Sequence, residues 1–115
     1  MRTRLGRRGE DAAADFYEKN GYRVLDRNFR CSEGELDLVV ACRGVIVFCE
    51  VKTRATDHFG IPAEAVSIRK QGRVRRLAAR WLEYHRPGAV EVGFDVVSAI
   101  VRDDRLELTH IPDAF

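Results

Sequence analysis

Residues 32–54 read S-E-G-E-L-D-L-V-V-A-C-R-G-V-I-V-F-C-E-V-K-T-R, and this stretch decides the fold of the chain. The segments 36–41 and 45–51 are rich in β-branched and apolar residues, which is typical of β-strands. Arg43-Gly44 lies between them, where a tight turn is expected. A two-residue turn pairs Cys42 with Val45, so the sequence predicts an antiparallel hairpin with a defined register.

The predicted register brings four charged residues together. Each step outward from the turn moves one residue back on the first strand and one forward on the second, so Asp37 falls opposite Glu50 and Glu35 opposite Lys52. Because side chains alternate along a strand, all four then share one face. A four-residue turn gives the same pairing, whereas a three-residue turn would place the charges on opposite faces.

Two opposed carboxylates on this hairpin need a cation or a proton. At a separation of roughly 5 Å and an effective dielectric of about 20, Asp37 and Glu50 repel by roughly 3 kcal/mol. The preceding segment 45–48 is wholly apolar, which indicates a strand buried on both faces. A divalent metal between the two acids would remove the repulsion. The alternative is a salt-bridged hairpin, in which Lys52 and nearby arginines neutralise the acids.

The same residues resemble a known nuclease signature. Asp37, Glu50 and Lys52 in the pattern D-x12-E-V-K resemble the PD-(D/E)xK motif, although Leu36 stands where the motif has proline. The wider string G-E-L-D-L-V…F-C-E-V-K-T-R resembles the YraN-like family of uncharacterised bacterial proteins, which is similar to archaeal Holliday-junction resolvases. The resemblance extends from Gly6-x-x-Gly9-Glu10 to the closing Ala114-Phe115.

The resemblance implies a site and a cofactor. Asp37 and Glu50 would bind Mg²⁺ or Mn²⁺, hard cations that prefer oxygen ligands, and the Val51 carbonyl would supply a further ligand, as in the nuclease family. Lys52 would orient the attacking water or stabilise charge on the reacting phosphate. Glu35 would orient Lys52 or bind a second metal.

The first helix is predicted over 5–20, with Thr3 as its N-cap. Glu10 lies on the flank of its apolar stripe and matches the helical glutamate that reaches the metal site in resolvase-like nucleases. The alternative is a solvated acid near Arg7 and Arg8. Gly9 would let this helix approach the sheet closely.

The remaining patterns predict one domain over residues 1–115 with the element order α-β-β-β-α-β-β. This order matches the αβββαβ core of the restriction-endonuclease-like fold with one extra C-terminal strand, an α/β (α+β) class with a mixed sheet and helices packed on it. The further predicted elements are strands 22–30, 89–101 and 105–111 and a helix 67–85 with Ser67 as N-cap and His85 in its buried stripe.

Arginines suggest a nucleic-acid face. The net charge is only +2, but residues 69–80 hold five arginines, one lysine and no acid. Four of them recur on one helical face, and phosphate binding would relieve their repulsion. Arginine outnumbers lysine 17 to 3 throughout, so a solvated face is the alternative. The residues predicted to contact nucleic acid are Arg7, Arg8, Arg54, Arg69, Lys70, Gln71, Arg73, Arg76 and Arg80, with Lys70 and Gln71 resembling a K-Q pair near the family's active cleft.

Three functions remain open from the sequence. The preferred one is a Mg²⁺-dependent endonuclease acting on structured or branched DNA; the others are a non-catalytic nucleic-acid-binding module and a protein-interaction domain. The resolvase resemblance also implies a homodimer.

No segment is predicted to span a membrane or to act as a secretory signal, so a cytoplasmic location is expected. His58 in the loop is predicted to be a surface residue or a phosphate contact, and Asp95 a further site acid or the partner of an arginine.

Overall fold

The computed structural model describes residues 3–55 and 66–115, which form a five-stranded sheet flanked by two helices. Strands follow one another in space in chain order, and all neighbours are antiparallel except β3 and β4, which are parallel. The predicted element order is confirmed, and the arrangement is compatible with a restriction-endonuclease-like core. The elements are α1 (Arg4–Lys19), β1 (Arg23–Cys31), β2 (Gly34–Cys42), β3 (Val45–Arg54), α2 (Ile68–His85), β4 (Glu91–Arg102) and β5 (Arg105–Ile111).

The central hairpin has the predicted register. The β2–β3 pairs run from Cys42–Val45 at the turn to Leu38–Cys49. Arg43 and Gly44 both have positive φ, 50° and 81°, which is the geometry of the two-residue turns that match strand twist. The parity of this register sends Asp37 and Glu50 to the same side of the sheet.

Helix α1 lies very close to β3 because Gly9 has no side chain. A Cβ atom at Gly9 would stand 1.9 Å from Thr53 Oγ1, so any larger residue would push the helix away from the strand. Thr3 caps the helix as predicted, its hydroxyl accepting a hydrogen bond from the Gly6 amide at 2.9 Å. The close approach turns the next residue, Glu10, toward the sheet.

Helix α2 covers the other side of the sheet. Ser67 caps it, accepting from the Lys70 amide at 3.1 Å, and the residues buried on its inner face are Val74, Leu77, Ala78 and Trp81. The prediction that His85 belongs to this buried stripe was wrong. His85 is exposed in the last turn and stacks on Trp81, with ring centroids 4.0 Å apart.

Each helix seals its own half of the hydrophobic core. On the α2 side, Leu36, Val39, Phe48 and Phe94 pack against the helix. The α1 side is formed by Ala13, Ala14, Tyr17, Leu38, Val40, Val47, Cys49 and Val97. Because alternate residues of β3 enter different halves, Cys49 faces α1 and Glu50 faces α2. Neither described helix is long and apolar enough to cross a membrane.

Candidate active site

Asp37 and Glu50 lie together in a small cavity between the sheet and α2. Glu50 is buried, with 6% of its surface exposed, and Asp37 is partly buried. The Val51 amide donates a hydrogen bond to Asp37 Oδ2 at 2.8 Å, so the Asp37 side chain lies against the backbone of β3 just beyond the last hairpin pair. The cavity has a volume of about 240 Å³ and is lined by Glu35, Asp37, Glu50, Lys70, Arg73, Val74 and Leu77.

The surroundings of Asp37 favour its protonated form. Burial is the largest cause and the charge of Glu50 the next, and together they raise the pKa of Asp37 to about 7. The charge of Glu10 adds to the rise, while the Val51 amide and the Lys70 ammonium oppose it. Near neutral pH this carboxyl therefore holds a proton for much of the time unless a further cation arrives.

Lys70 provides the ion pair of Glu50. Its Nζ lies 2.9 Å from Glu50 Oε1, and its side chain is largely covered. The K-Q resemblance predicts Lys70 near the active cleft, with neutralisation of the acids by Lys52 and arginines as the alternative to a metal. The structure brings Lys70, from the first turn of α2, into the cavity itself.

Lys52 belongs to the same patch, as predicted from its parity with Glu50. Burial is the main reason that its pKa is lowered, and the Lys70 ammonium, which is close enough to hydrogen bond, lowers it further. The charge of Glu50 acts in the opposite direction. Two lysines and two acids thus form one contiguous charged group.

Glu35 lines the cavity and forms an ion pair with Arg30 of β1. Arg30 donates to Glu35 Oε2 from Nε at 3.1 Å and from Nη2 at 2.7 Å. The reason is the register of β1 and β2, which places Arg30 directly opposite Glu35. The exposed Arg30 is therefore held beside the cavity by its ion pair with Glu35.

Asn28, which was not predicted from the sequence, connects Glu10 with the backbone of Asp37. Glu10 is only 7% exposed, which excludes the alternative of a solvated acid. Asn28 Nδ2 donates to Glu10 Oε1 at 3.1 Å and lies 3.5 Å from the Asp37 carbonyl oxygen. Asn28 has a φ of 58°, a left-handed conformation that asparagine tolerates better than most residues. The imperfect alternation of β1 around Asn28 was the only signal of this feature in the sequence.

Asp37 and Glu50 are the carboxylates available in this cavity for the predicted Mg²⁺ or Mn²⁺, together with Glu35 at its edge. Within residues 3–55 and 66–115, no group of three or more histidine, cysteine, aspartate and glutamate side chains is gathered closely enough to hold a metal by itself. Mg²⁺ is commonly bound through one or two carboxylates and retains several waters, so Asp37 and Glu50 fit it. A metal bound by Glu50 would compete with Lys70 for the same oxygen.

Glu33, from outside α2, and Glu83, in its last turn, partly neutralise the predicted arginine row. Glu33, in the turn between β1 and β2, lies 3.5 Å from Arg76 and 3.6 Å from Arg80, and Glu83 lies 3.5 Å from Arg80. The row is acid-free along its own sequence but not in space, since the turn is folded against the helix. Arg73 lines the carboxylate cavity.

The other predicted contact residues are dispersed. Arg7, Arg8 and Arg69 are exposed, and Arg54 ends β3. Gln71 donates to the Val66 carbonyl at 3.2 Å, which ties the start of α2 to the preceding chain. His58 lies outside the described residues.

Asp95 is on the opposite side of the sheet from the cavity, and neither prediction for it describes its surroundings. It is 3% exposed and accepts hydrogen bonds from the Tyr17 hydroxyl at 2.7 Å and the Asp113 amide at 3.0 Å. His110 Nε2 lies 2.8 Å from Asp95 Oδ2. This network links α1, β4 and β5 and leaves Asp95 out of the candidate site.

Comparison with known proteins identifies relatives along almost the whole chain. The model of the uncharacterised protein family UPF0102 matches residues 9–99. A UPF0102 protein of Frankia casuarinae is 56% identical over 93 residues, covering 81% of this chain and 79% of the relative. One from Syntrophomonas wolfei is 44% identical over 115 residues and covers 100% of both chains. One from Geobacter sulfurreducens is 44% identical over 114 residues, covering 96% of this chain and 88% of the relative.

Proposed function

This chain belongs to the uncharacterised protein family UPF0102, and we propose that it is a Mg²⁺- or Mn²⁺-dependent endonuclease that hydrolyses phosphodiester bonds in structured or branched DNA. One observation carries the proposal: Asp37 and the buried Glu50 line the same small cavity. Burial and the Glu50 charge raise the pKa of Asp37 to about 7 there. Lys70 pairs with Glu50, but Asp37 still lies in an excess of negative charge from Glu50 and Glu10. A divalent cation would neutralise that excess.

The cation would be held by Asp37 and Glu50, with the Val51 backbone beside them. When bound, it would lower the pKa of a water molecule and polarise the phosphate. Glu10, tethered by Asn28, adds negative charge behind Asp37 and so strengthens the attraction for the cation. Glu35, at the rim, would set the edge of the site that a phosphate enters.

Lys52 and Lys70 would act on the phosphate side of the site. Burial and the Lys70 charge lower the pKa of Lys52, which makes it readier to exchange a proton near neutral pH than an ordinary lysine. As an ammonium, Lys52 would donate to the phosphate oxygens as charge develops on them. Lys70, released from Glu50 by the cation, would then be available to a phosphate oxygen.

The branched substrate and a homodimer follow from the resemblance to resolvases and are parts of the proposal. Contacts would be made to the phosphate backbone by the arginines beside the cavity, with Arg73 the nearest to the carboxylates. Such contacts position a duplex but do not select a sequence. We therefore expect discrimination by DNA shape.

A second candidate is a nucleic-acid-binding module without catalysis. The Lys70–Glu50 ion pair at 2.9 Å favours it, because a lysine can neutralise a buried glutamate permanently. A third, a protein-interaction domain, would use the charged group only as a structural network. Metal binding separates the first candidate from the third, and turnover separates it from the second.

The test combines a metal titration with a cleavage panel. Mn²⁺ binding is followed by calorimetry, and cleavage is measured with Mg²⁺ or Mn²⁺ on linear, flapped and four-way DNA. We expect one main Mn²⁺ site and cleavage of the branched substrates in the parent, and loss of both in Asp37→Asn and in Glu50→Gln. Asp26→Asn is the matched control, because Asp26 accepts a hydrogen bond from Trp81 on the same side of the sheet but outside the cavity. Binding that survives both cavity variants would refute the metal site.

A further inference from the structure

A second cavity lies along the same seam between α2 and the first strands. It has a volume of about 880 Å³ and is lined by Arg30, Cys31, Ser32, Arg80, Glu83, Tyr84 and Arg86. The carboxylate cavity is lined by the N-terminal half of α2 and this one by the C-terminal half and the residue beyond it. From Arg73 to Tyr84 the helix advances by roughly 16 Å. The two cavities thus share one helix as a common wall.

Tyr84 presents an aromatic ring to solvent in this second cavity. It is 74% exposed, far more than a tyrosine that serves the core. Its ring meets Phe29 edge to face, with centroids 5.9 Å apart, so one edge is supported while the rest of the ring is uncovered. The Tyr84 ring therefore offers a free surface on which another ring can stack, and it contributes little to the packing of the core.

Three arginines surround the ring against a single acid in the cavity lining. Arg30 and Arg80 have 70% and 48% of their side chains exposed, and they form ion pairs with Glu35 and with Glu33 and Glu83, respectively. Arg86 caps α2 in a left-handed conformation, which turns the chain so that its side chain borders the same cavity. The lining side chains themselves carry three positive charges and one negative charge, so a phosphate would compete with Glu33 and Glu35 for Arg80 and Arg30.

We propose that this cavity binds an unpaired segment of DNA, with a base stacked on Tyr84 and its phosphates on Arg86, Arg80 and Arg30. The inference rests on the proposed function, because it describes the strand that continues from the carboxylate cavity along α2. Bases in an intact duplex are stacked inside it and do not reach a protein ring, whereas unpaired bases stack readily on exposed aromatic residues. The site would thus favour junctions and flaps over plain duplex.

The experiment measures binding of fluorescein-labelled oligonucleotides to the full chain by anisotropy, without divalent metal. The probes are a thymidine 12-mer, a 12-base-pair duplex and a splayed-arm duplex. Tyr84→Ala should weaken binding of the 12-mer and of the splayed arm about tenfold, and that of the duplex less than twofold. Tyr84→Phe, which keeps the ring, should bind all three within twofold of the parent.

Two arginines provide a matched pair. Arg86 and Arg43 are both exposed and both have positive φ, 45° and 50°, but Arg43 lies in the β2–β3 turn, away from this cavity. Asparagine tolerates that backbone conformation. Arg86→Asn should weaken binding of the 12-mer and lower its salt dependence, while Arg43→Asn should leave both unchanged. Melting temperatures show that each variant is folded.

Several outcomes would overturn the inference. Equal loss of duplex and single-strand binding in Tyr84→Ala, failure of Tyr84→Phe to restore affinity, or no effect of Tyr84→Ala would each do so. Displacement of the 12-mer by a glutamate-rich peptide at equal concentration would assign the cavity to an acidic protein segment instead. Absence of measurable binding to any probe would overturn it as well.

The proposed nuclease function fails separately. If the parent cleaves none of the branched substrates but Tyr84→Ala still loses single-strand affinity selectively, the cavity stands and the catalytic proposal falls. If cleavage depends on Asp37 but Tyr84→Ala cleaves and binds like the parent, the catalytic proposal stands and the cavity proposal falls.

Discussion

Asp95 on the α1 side of the sheet and Asp37 on the α2 side are acids of adjacent regions with different surroundings. Asp95 accepts from the Tyr17 hydroxyl and the Asp113 amide and meets His110. Among the described residues, the Asp37 carboxylate has the Val51 amide as its hydrogen-bond donor, and two other acids raise its pKa. Asp95 stabilises the fold through its hydrogen bonds. Asp37, in contrast, is buried beside other acids at a cost in free energy that the rest of the fold must offset.

The largest effect on stability is expected at Asp95. Asp95→Ala would leave the Tyr17 hydroxyl and the Asp113 amide without their acceptor in a buried place, so unfolding should become easier by about 4 kcal/mol. Urea denaturation measures the change. Asp37→Asn under the same metal-free conditions should stabilise the protein slightly. Two losses of similar size would abolish the distinction between the two acids.

Lys52 tests whether the α2 side is a reaction site. Lys52→Ala should lower the cleavage rate about a hundredfold at saturating metal, as the loss of one transition-state donor typically does, with DNA affinity nearly unchanged. Single-turnover rates measure this, and Mn²⁺ should still bind. A variant that melts at a lower temperature but cleaves at the parental rate would mean that Lys52 has only a structural role.

The pH dependence of stability should carry the signature of Asp37. Its pKa is raised from 3.8 to about 7 in the folded protein, so the native state binds more protons than the unfolded chain between these values. The contribution of Asp37 to stability in metal-free buffer should therefore fall by roughly 3 kcal/mol as pH rises from about 4 to about 7. The difference between the parent and Asp37→Asn isolates this contribution, and identical pH profiles would contradict it.

The smallest effect is expected at Asn28, which acts through Glu10. Asn28→Gly tolerates the positive φ but removes the amide that fixes Glu10, so Mn²⁺ affinity should fall several-fold, toward tenfold at most. Asn28→Asp would put a further acid against Glu10. The double variant Asn28→Asp/Glu10→Gln should then recover the fold stability that Asn28→Asp loses. Unchanged Mn²⁺ affinity in Asn28→Gly would make Asn28 a structural residue alone.

Local rules were sufficient for much of the fold. The two-residue turn fixed the hairpin register and hence placed Asp37, Glu50 and Lys52 in one patch, because parity along a strand is a covalent constraint. Capping by Thr3 and Ser67 followed from side-chain chemistry alone. The closeness of α1 to β3 was likewise readable from Gly9, since only glycine leaves room there.

The partners of the charged residues could not be read in the same way. Lys70 reaches Glu50 only because α2 packs on that side of the sheet, and Glu33 reaches Arg76 only because the β1–β2 turn lies against that helix. Both depend on packing between elements far apart in the chain. The surroundings of Asp95 have the same origin, as β5 brings His110 to it.

The position of β3 in the sheet has a consequence for hydrogen exchange. Residues 45–49 pair with both β2 and β4, whereas, among the described strands, residues 50–54 pair with β4 alone. Amides of residues 45–49 should then exchange only through global unfolding, whereas those of the edge strand β1 should exchange through local opening. Glu50 would consequently stay fixed at the end of this doubly paired segment while Arg30 and Asn28, on β1, fluctuate around it. Any structural adjustment to a bound substrate would therefore occur mainly in the edge strand β1.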